Sequence, residues 1–169
     1  MNGSSYGSVV INNISYSEID MDQLHQIAKI AFASEFSFAL KAQNFHWNVE
    51  GPNFPQLHEF FSDLYNEVYD NTIDRSAEFV RVLDTYTPGS MVRFAELSVI
   101  QEQAKIPRAE LMMAELLEDS TTMVSLVTQL FDIATESRDQ GLANYLAELQ
   151  DLYTKKAWML RSILKTTRA

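Results

Sequence analysis

Two histidines bracket the stretch His46-Trp47-Asn48-Val49-Glu50-Gly51-Pro52-Asn53-Phe54-Pro55-Gln56-Leu57-His58. Further along, Asp70, Asp74 and Glu78 recur every fourth residue, which places them on one face of a continuous helix. Imidazole suits iron and zinc, carboxylate oxygen suits hard cations, and unfilled positions on a metal so held admit an oxidant. That donor set is the kind a ferrous iron site needs. Each part also has an ordinary reading: a helix-end histidine as a cap, an acidic stripe as a solvated face, and Trp47 as a core residue. The chain has no cysteine, so thiolate sites and disulfides are excluded and any metal falls to the three histidines and the acids.

These residues need helices to position them, and the apolar periodicity supplies four long ones. Leu24, Ile27, Ala28, Ala31, Phe32, Phe36, Phe38, Ala39, Ala42 and Phe45 repeat at helical spacing and predict a helix over 22–48; Glu35 is the exception on that pattern. Gly51 and Pro52 break it, and Pro55 suits the first turn of a second helix reaching about Thr85. Ser90 caps a short helix over 91–100, and Pro107 opens a third long helix through Ala134. Arg138 to Gly141 interrupts, and the fourth runs from Leu142 to Leu164. The expected fold is therefore all-α, a four-helix bundle with a short helix in its long crossover between the second and third long helices. Residues 1–20, rich in Gly, Ser and Asn, read as a flexible N-terminal arm, and 21–169 as one bundle domain.

At 169 residues and 46% hydrophobic content the chain suits a single buried core. A net charge of −10 opposes binding to phosphate backbones and favours attraction of cations. No window approaches the ~20 apolar residues of a membrane span, and no secretory leader is evident, so a soluble, cytoplasmic protein without membrane contact is expected.

The run from His46 to His58, continued by Glu59, Asp63-Leu64-Tyr65 and Asp74-x-x-Ala77-Glu78, resembles the signature of the Dps family of mini-ferritins. Lys156-Ala157-Trp158-Met159-Leu160-Arg161 is similar to that family's last helix, and the likeness extends over roughly residues 22–165. It implies a ferritin-like four-helix subunit of a hollow homododecamer, with a ferroxidase centre at each two-fold dimer interface. The family's two histidines match His46 and His58, and the partner's acidic pair matches Asp74 and Glu78. Iron is the implied cofactor and cargo, bound as Fe2+, oxidised preferentially by hydrogen peroxide and stored as Fe3+ mineral. Trp47 and Ser62 would lie just behind the ligands, and Glu136 and Asp139 would line a pore for iron uptake.

Two departures stand out. The family's remaining Asp falls at Ser62, which lacks a charge, while neighbouring Asp63 is turned by roughly 140° from His58 on a regular helix. The spacing from His58 to Asp74 is also one residue longer than the family pattern, an insertion that a bulge in the helix absorbs. A bulge before Asp63 would bring that acid into the site. One between Tyr65 and Ile73 would leave Ser62 there, and it is the favoured placement because Asp63-Leu64-Tyr65 aligns without a gap. Glu59, Glu67 or Asp70 are the other acids that could be recruited. Some family members bind DNA through a lysine-rich arm; residues 1–20 hold no Lys or Arg. Lys155, Lys156, Arg161, Lys165 and Arg168 give the last helix a basic end, which its dipole favours in any case. Strong DNA binding is not expected, and His25 is assigned no role.

Overall fold

The computed structural model describes Val10–Ile11, Ile14–Ser15 and residues 21–166, and the helices begin where the apolar periodicity begins. They are α1 (Met21–Asn48), α2 (Phe54–Asn71), α3 (Ile73–Val82), α4 (Met91–Leu97), α5 (Ala109–Glu136) and α6 (Gln140–Thr166). Val10–Ile11 and Ile14–Ser15 form a two-residue antiparallel pair, β1 and β2. Most of the arm expected over 1–20, and Arg168, lie outside the described residues.

α2 and α3 together form the second long rod of the bundle. α1 packs on both and on α5, α5 packs along α6, and the shared interior is built from Phe38, Phe45, Phe61, Met112, Leu116, Met123 and Leu160, none more than 1% exposed. The chain turns from α1 into α2 at Gly51, whose φ of +115° is a conformation that glycine adopts without strain. Val49 closes that turn from inside, at 2% exposure. Pro55 sits in the first turn of α2, where its missing N–H costs nothing. In the crossover, the Ser90 hydroxyl accepts from Arg93 N–H and caps α4. α4 stacks Phe94 on Phe36 of α1 at 4.3 Å, and Val99 N–H donates to Ser34 Oγ at 3.0 Å just beyond it.

Several boundaries differ from the sequence expectation. α4 stops at Leu97, and α5 starts after Arg108, two residues past Pro107. The α5–α6 turn is made by Arg138, at φ +59°, while Gly141 lies inside the first turn of α6. Arg138 N–H reaches Thr135 O and Asp139 N–H reaches Ala134 O, the paired bonds of a Schellman ending normally built on glycine. Asp139 Oδ1 then accepts from Leu142 N–H at 3.0 Å and caps α6.

The largest departure is inside the second rod. Thr72, at φ −124° and ψ −36°, leaves the helical region and separates α2 from α3. The break, a single turn residue, falls in the interval between Tyr65 and Ile73 that the sequence reading favoured for a bulge. α2 is uninterrupted before it, so Asp63 is not carried round toward His58.

Candidate metal centre

The end of α1 and the start of α2 are locked by the two histidines themselves. His46 Nδ1–H donates to the His58 carbonyl at 2.7 Å, and His58 Nδ1–H donates to the His46 carbonyl at 2.8 Å. A carbonyl only accepts, so each Nδ1 carries a proton, and in the neutral ring the lone pair is left on Nε2. Both rings are thereby set in the tautomer that a metal ligand requires, with the backbone as the orienting partner. The rings stack at 3.8 Å, with Phe54 against His58 and the edge of Tyr65 against His46. Both are half-buried, open enough to bind and held enough to be preorganised.

One turn after His58, Ser62 occupies the same face of α2, and its hydroxyl accepts from Asn66 Nδ2 at 3.1 Å. The charge-bearing residues of α2 are directed elsewhere. Glu67 forms an ion pair at 2.5 Å with Lys156 of α6, and Asp63 lies near enough to Lys156 to favour its charged form. Lys156 is only 3% exposed, and burial pulls its pKa down against Glu67. It therefore does not belong to a basic surface on α6, contrary to the sequence expectation. Glu59 is exposed at the start of α2.

Asp74 and Glu78 lie one turn apart on α3, both exposed. Asp70, also exposed, lies at the end of α2, two residues before the Thr72 break. Among the described residues, no three His, Asp or Glu side chains of one chain converge on a point. His46 and His58 are brought together; Asp74 and Glu78 share a helix face away from them. Trp47, read as lying just behind the ligands and on its ordinary reading as a core residue, is 61% exposed beside the histidine pair. Glu136 ends α5 and is exposed, while Asp139 is engaged in capping α6. His25 is not idle: its Nε2 donates to Leu83 O at 2.7 Å and ties α1 to the end of the second rod.

Pattern reading passed over two buried polar groups. Lys41 and Asp119 form an ion pair at 2.6 Å between α1 and α5, with burial pushing the Asp119 carboxyl up against the pull of Lys41. Glu35, the exception on the apolar face of α1, is 1% exposed in the bundle interior, and its Oε1 has no partner. Burial raises its pKa from 4.5 to about 7, opposed by the polar side chains of Ser76 and Thr72. Its break in the apolar repeat was the signal that a polar interior existed.

The sequence profile of the ferritin-like domain matches residues 25–169. A low temperature-induced protein of Nostoc sp. is 35% identical over 135 residues, spanning 79% of this chain and 75% of that protein. DNA protection during starvation protein 2 of Bacillus anthracis is 36% identical over 124 residues, 73% of this chain and 84% of that one. The crystal structure of Dps from Staphylococcus aureus superposes with a TM-score of 0.79 at 30% identity, covering 85% of this chain and 95% of that chain. A bundle with one crossover, a histidine pair at the α1–α2 turn and these relatives agree: the chain belongs to the Dps family of the ferritin-like superfamily.

Proposed function

We propose that this protein is a mini-ferritin subunit that assembles with copies of itself into a hollow dodecamer, takes up ferrous iron between two chains and oxidises it with hydrogen peroxide. The observation that carries the reading is the reciprocal hydrogen bonding of His46 and His58, which commits both Nδ1 atoms to backbone carbonyls and reserves both Nε2 atoms for a ligand. Asp74 and Glu78 of a second chain complete the donor set across a two-fold axis. Two imidazoles and two carboxylates fit iron as substrate, with oxygen donors that strengthen as the ion becomes ferric. Two ferrous ions give one electron each to a peroxide, whose O–O bond breaks. With water, the products are ferric oxyhydroxide and protons, and the mineral is stored in the cavity. Removing iron and peroxide together is the protective effect in a cytoplasm under oxidative stress. Glu136 and Asp139, at the α5–α6 turn, are the acids offered for a pore that admits iron.

Ser62 favours a second reading, a cage that binds iron but oxidises it slowly. The face of α2 that bears His58 presents a hydroxyl bonded to Asn66, and Asp63 lies near enough to Lys156 to favour its charge. Stopped-flow mixing of ferrous iron and peroxide with the assembled protein decides between them. A rate above the protein-free control supports the ferroxidase reading; a rate equal to it supports the slow cage.

A further inference from the structure

The bundle interior holds a polar cavity that the iron chemistry does not use. Glu35 of α1, Ser76 of α3 and Tyr145 of α6 line it, all three buried, with Ala28, Phe32 and Met123 among its apolar walls. The space it leaves for the centre of a water molecule is ≈ 10 Å³. That is about what one water needs, and it leaves no room for a hydrated ion or an organic molecule. A small cavity with apolar walls alone stays dry, whereas one that offers roughly two to four polar partners retains water.

The hydrogen bonds around the cavity leave acceptors over. Among the described residues, the buried side-chain atoms without a hydrogen-bond partner are Glu35 Oε1 and Tyr153 Oη, and of the two residues only Glu35 lines the cavity. Ser76 Oγ and Tyr145 Oη are 2.5 Å apart, and Tyr145 O–H donates to Thr72 O at 3.2 Å. A carbonyl only accepts, so the Tyr145 proton goes to Thr72 and the bond between the two hydroxyls carries the Ser76 proton. Ser76 Oγ keeps unused acceptor capacity, beside a carboxyl oxygen that has no partner at all. Buried polar groups in folded proteins are satisfied by protein or by ordered water, and no further protein group is hydrogen-bonded to Glu35 Oε1. Water both donates and accepts, so it serves the carboxyl in its neutral and its charged form alike.

Tyr145 connects the site with the outside. It lines the cavity and also the outer groove that carries Arg75 and Glu148. The Arg75 guanidinium lies 4.3 Å from the centre of its ring and pairs with Glu148 at 2.9 Å. One aromatic residue thus borders both the interior cavity and a solvent-filled groove.

We infer that the cavity is the binding site of a single ordered water, held by Glu35 Oε1 and Ser76 Oγ with Tyr145 at its edge, which joins α1, α3 and α6 from within. The site is independent of where iron binds. It gives the one acid on the apolar face of α1 a partner that no neighbouring helix supplies.

The test is diffraction from crystals of the assembled protein, at a resolution where other buried waters are seen. The expected result is one peak within about 2.5–3.2 Å of both Glu35 Oε1 and Ser76 Oγ. Glu35→Gln keeps a polar amide there and retains the peak; Glu35→Leu removes both oxygens and loses it. A parent map with no peak in the cavity overturns the proposal, and so does a peak that persists at parent strength in Glu35→Leu. A peak whose oxygen contacts all lie at about 2.0–2.4 Å is a bound cation and overturns it as well. Should Glu35→Leu not assemble, Ser76→Ala removes the other holding oxygen, and a peak of parent strength there overturns the proposal equally.

Discussion

Replacing Glu35 with Gln tests the buried acid through stability alone. The carboxyl is displaced by burial from 4.5 to about 7, so between those values the folded chain keeps a proton that the unfolded chain gives up. The folded state binds more protons in that window, and stability therefore falls as pH rises through it, then levels off above the folded value. Each pKa unit is worth ~1.4 kcal/mol, so Glu35 costs the fold up to ~3 kcal/mol at neutral pH and above, relative to its neutral form. Gln does not titrate. Urea unfolding of both proteins, at one protein concentration and at pH ~4.5 and ~8, cancels the other carboxylates in the difference between the two proteins. The two are of similar stability at the lower pH, and Glu35→Gln is the more stable by up to ~3 kcal/mol at the higher. A difference that stays constant with pH, or that moves the other way, refutes a neutral Glu35 in the folded chain.

Asp119→Ala leaves the Lys41 ammonium buried without its partner and destabilises the protein by about 3–5 kcal/mol, measured by urea unfolding, whereas a change within the surface range of ±0.5 kcal/mol would show that water reaches Lys41. Arg138→Gly relieves a left-handed residue at the end of α5 and stabilises by about 1 kcal/mol; a lower thermal midpoint contradicts that account of the turn. Ser62→Asp restores a carboxylate on the His58 face and raises the initial rate of iron oxidation by about tenfold or more, read by stopped flow. No change in that rate would remove Ser62 from the site.

The bundle was legible because its long helices each carry an apolar repeat, and Gly51, Pro55 and Ser90 act locally, within the turn they belong to. The histidine pair was legible for the same reason: both rings belong to one short turn. What a one-dimensional pattern misses are partners on other helices. Lys156 reads as part of a basic end, until Glu67 on the neighbouring helix holds it at 3% exposure. Glu35 reads as an interruption, because Ser76, Thr72 and Tyr145 come from elsewhere in the bundle. Gly141 drew the expected break toward itself, yet Arg138 takes the left-handed position and Asp139 supplies the cap. Trp47 was expected inside on hydrophobicity alone, and its 61% exposure places a large ring on the surface beside His46. The longer spacing before Asp74 was visible in the sequence, but the residue that leaves the helical region, Thr72, was not.

The central claim, iron held between two chains, is tested most directly by diffraction from crystals of the assembled protein soaked in ferrous iron without oxygen, with anomalous data at the iron edge. The account predicts iron within about 2.0–2.4 Å of Nε2 of His46 and His58 of one chain and of the carboxylates of Asp74 and Glu78 of another. Anomalous density away from the histidine pair, or ligands drawn from a single chain, would contradict it.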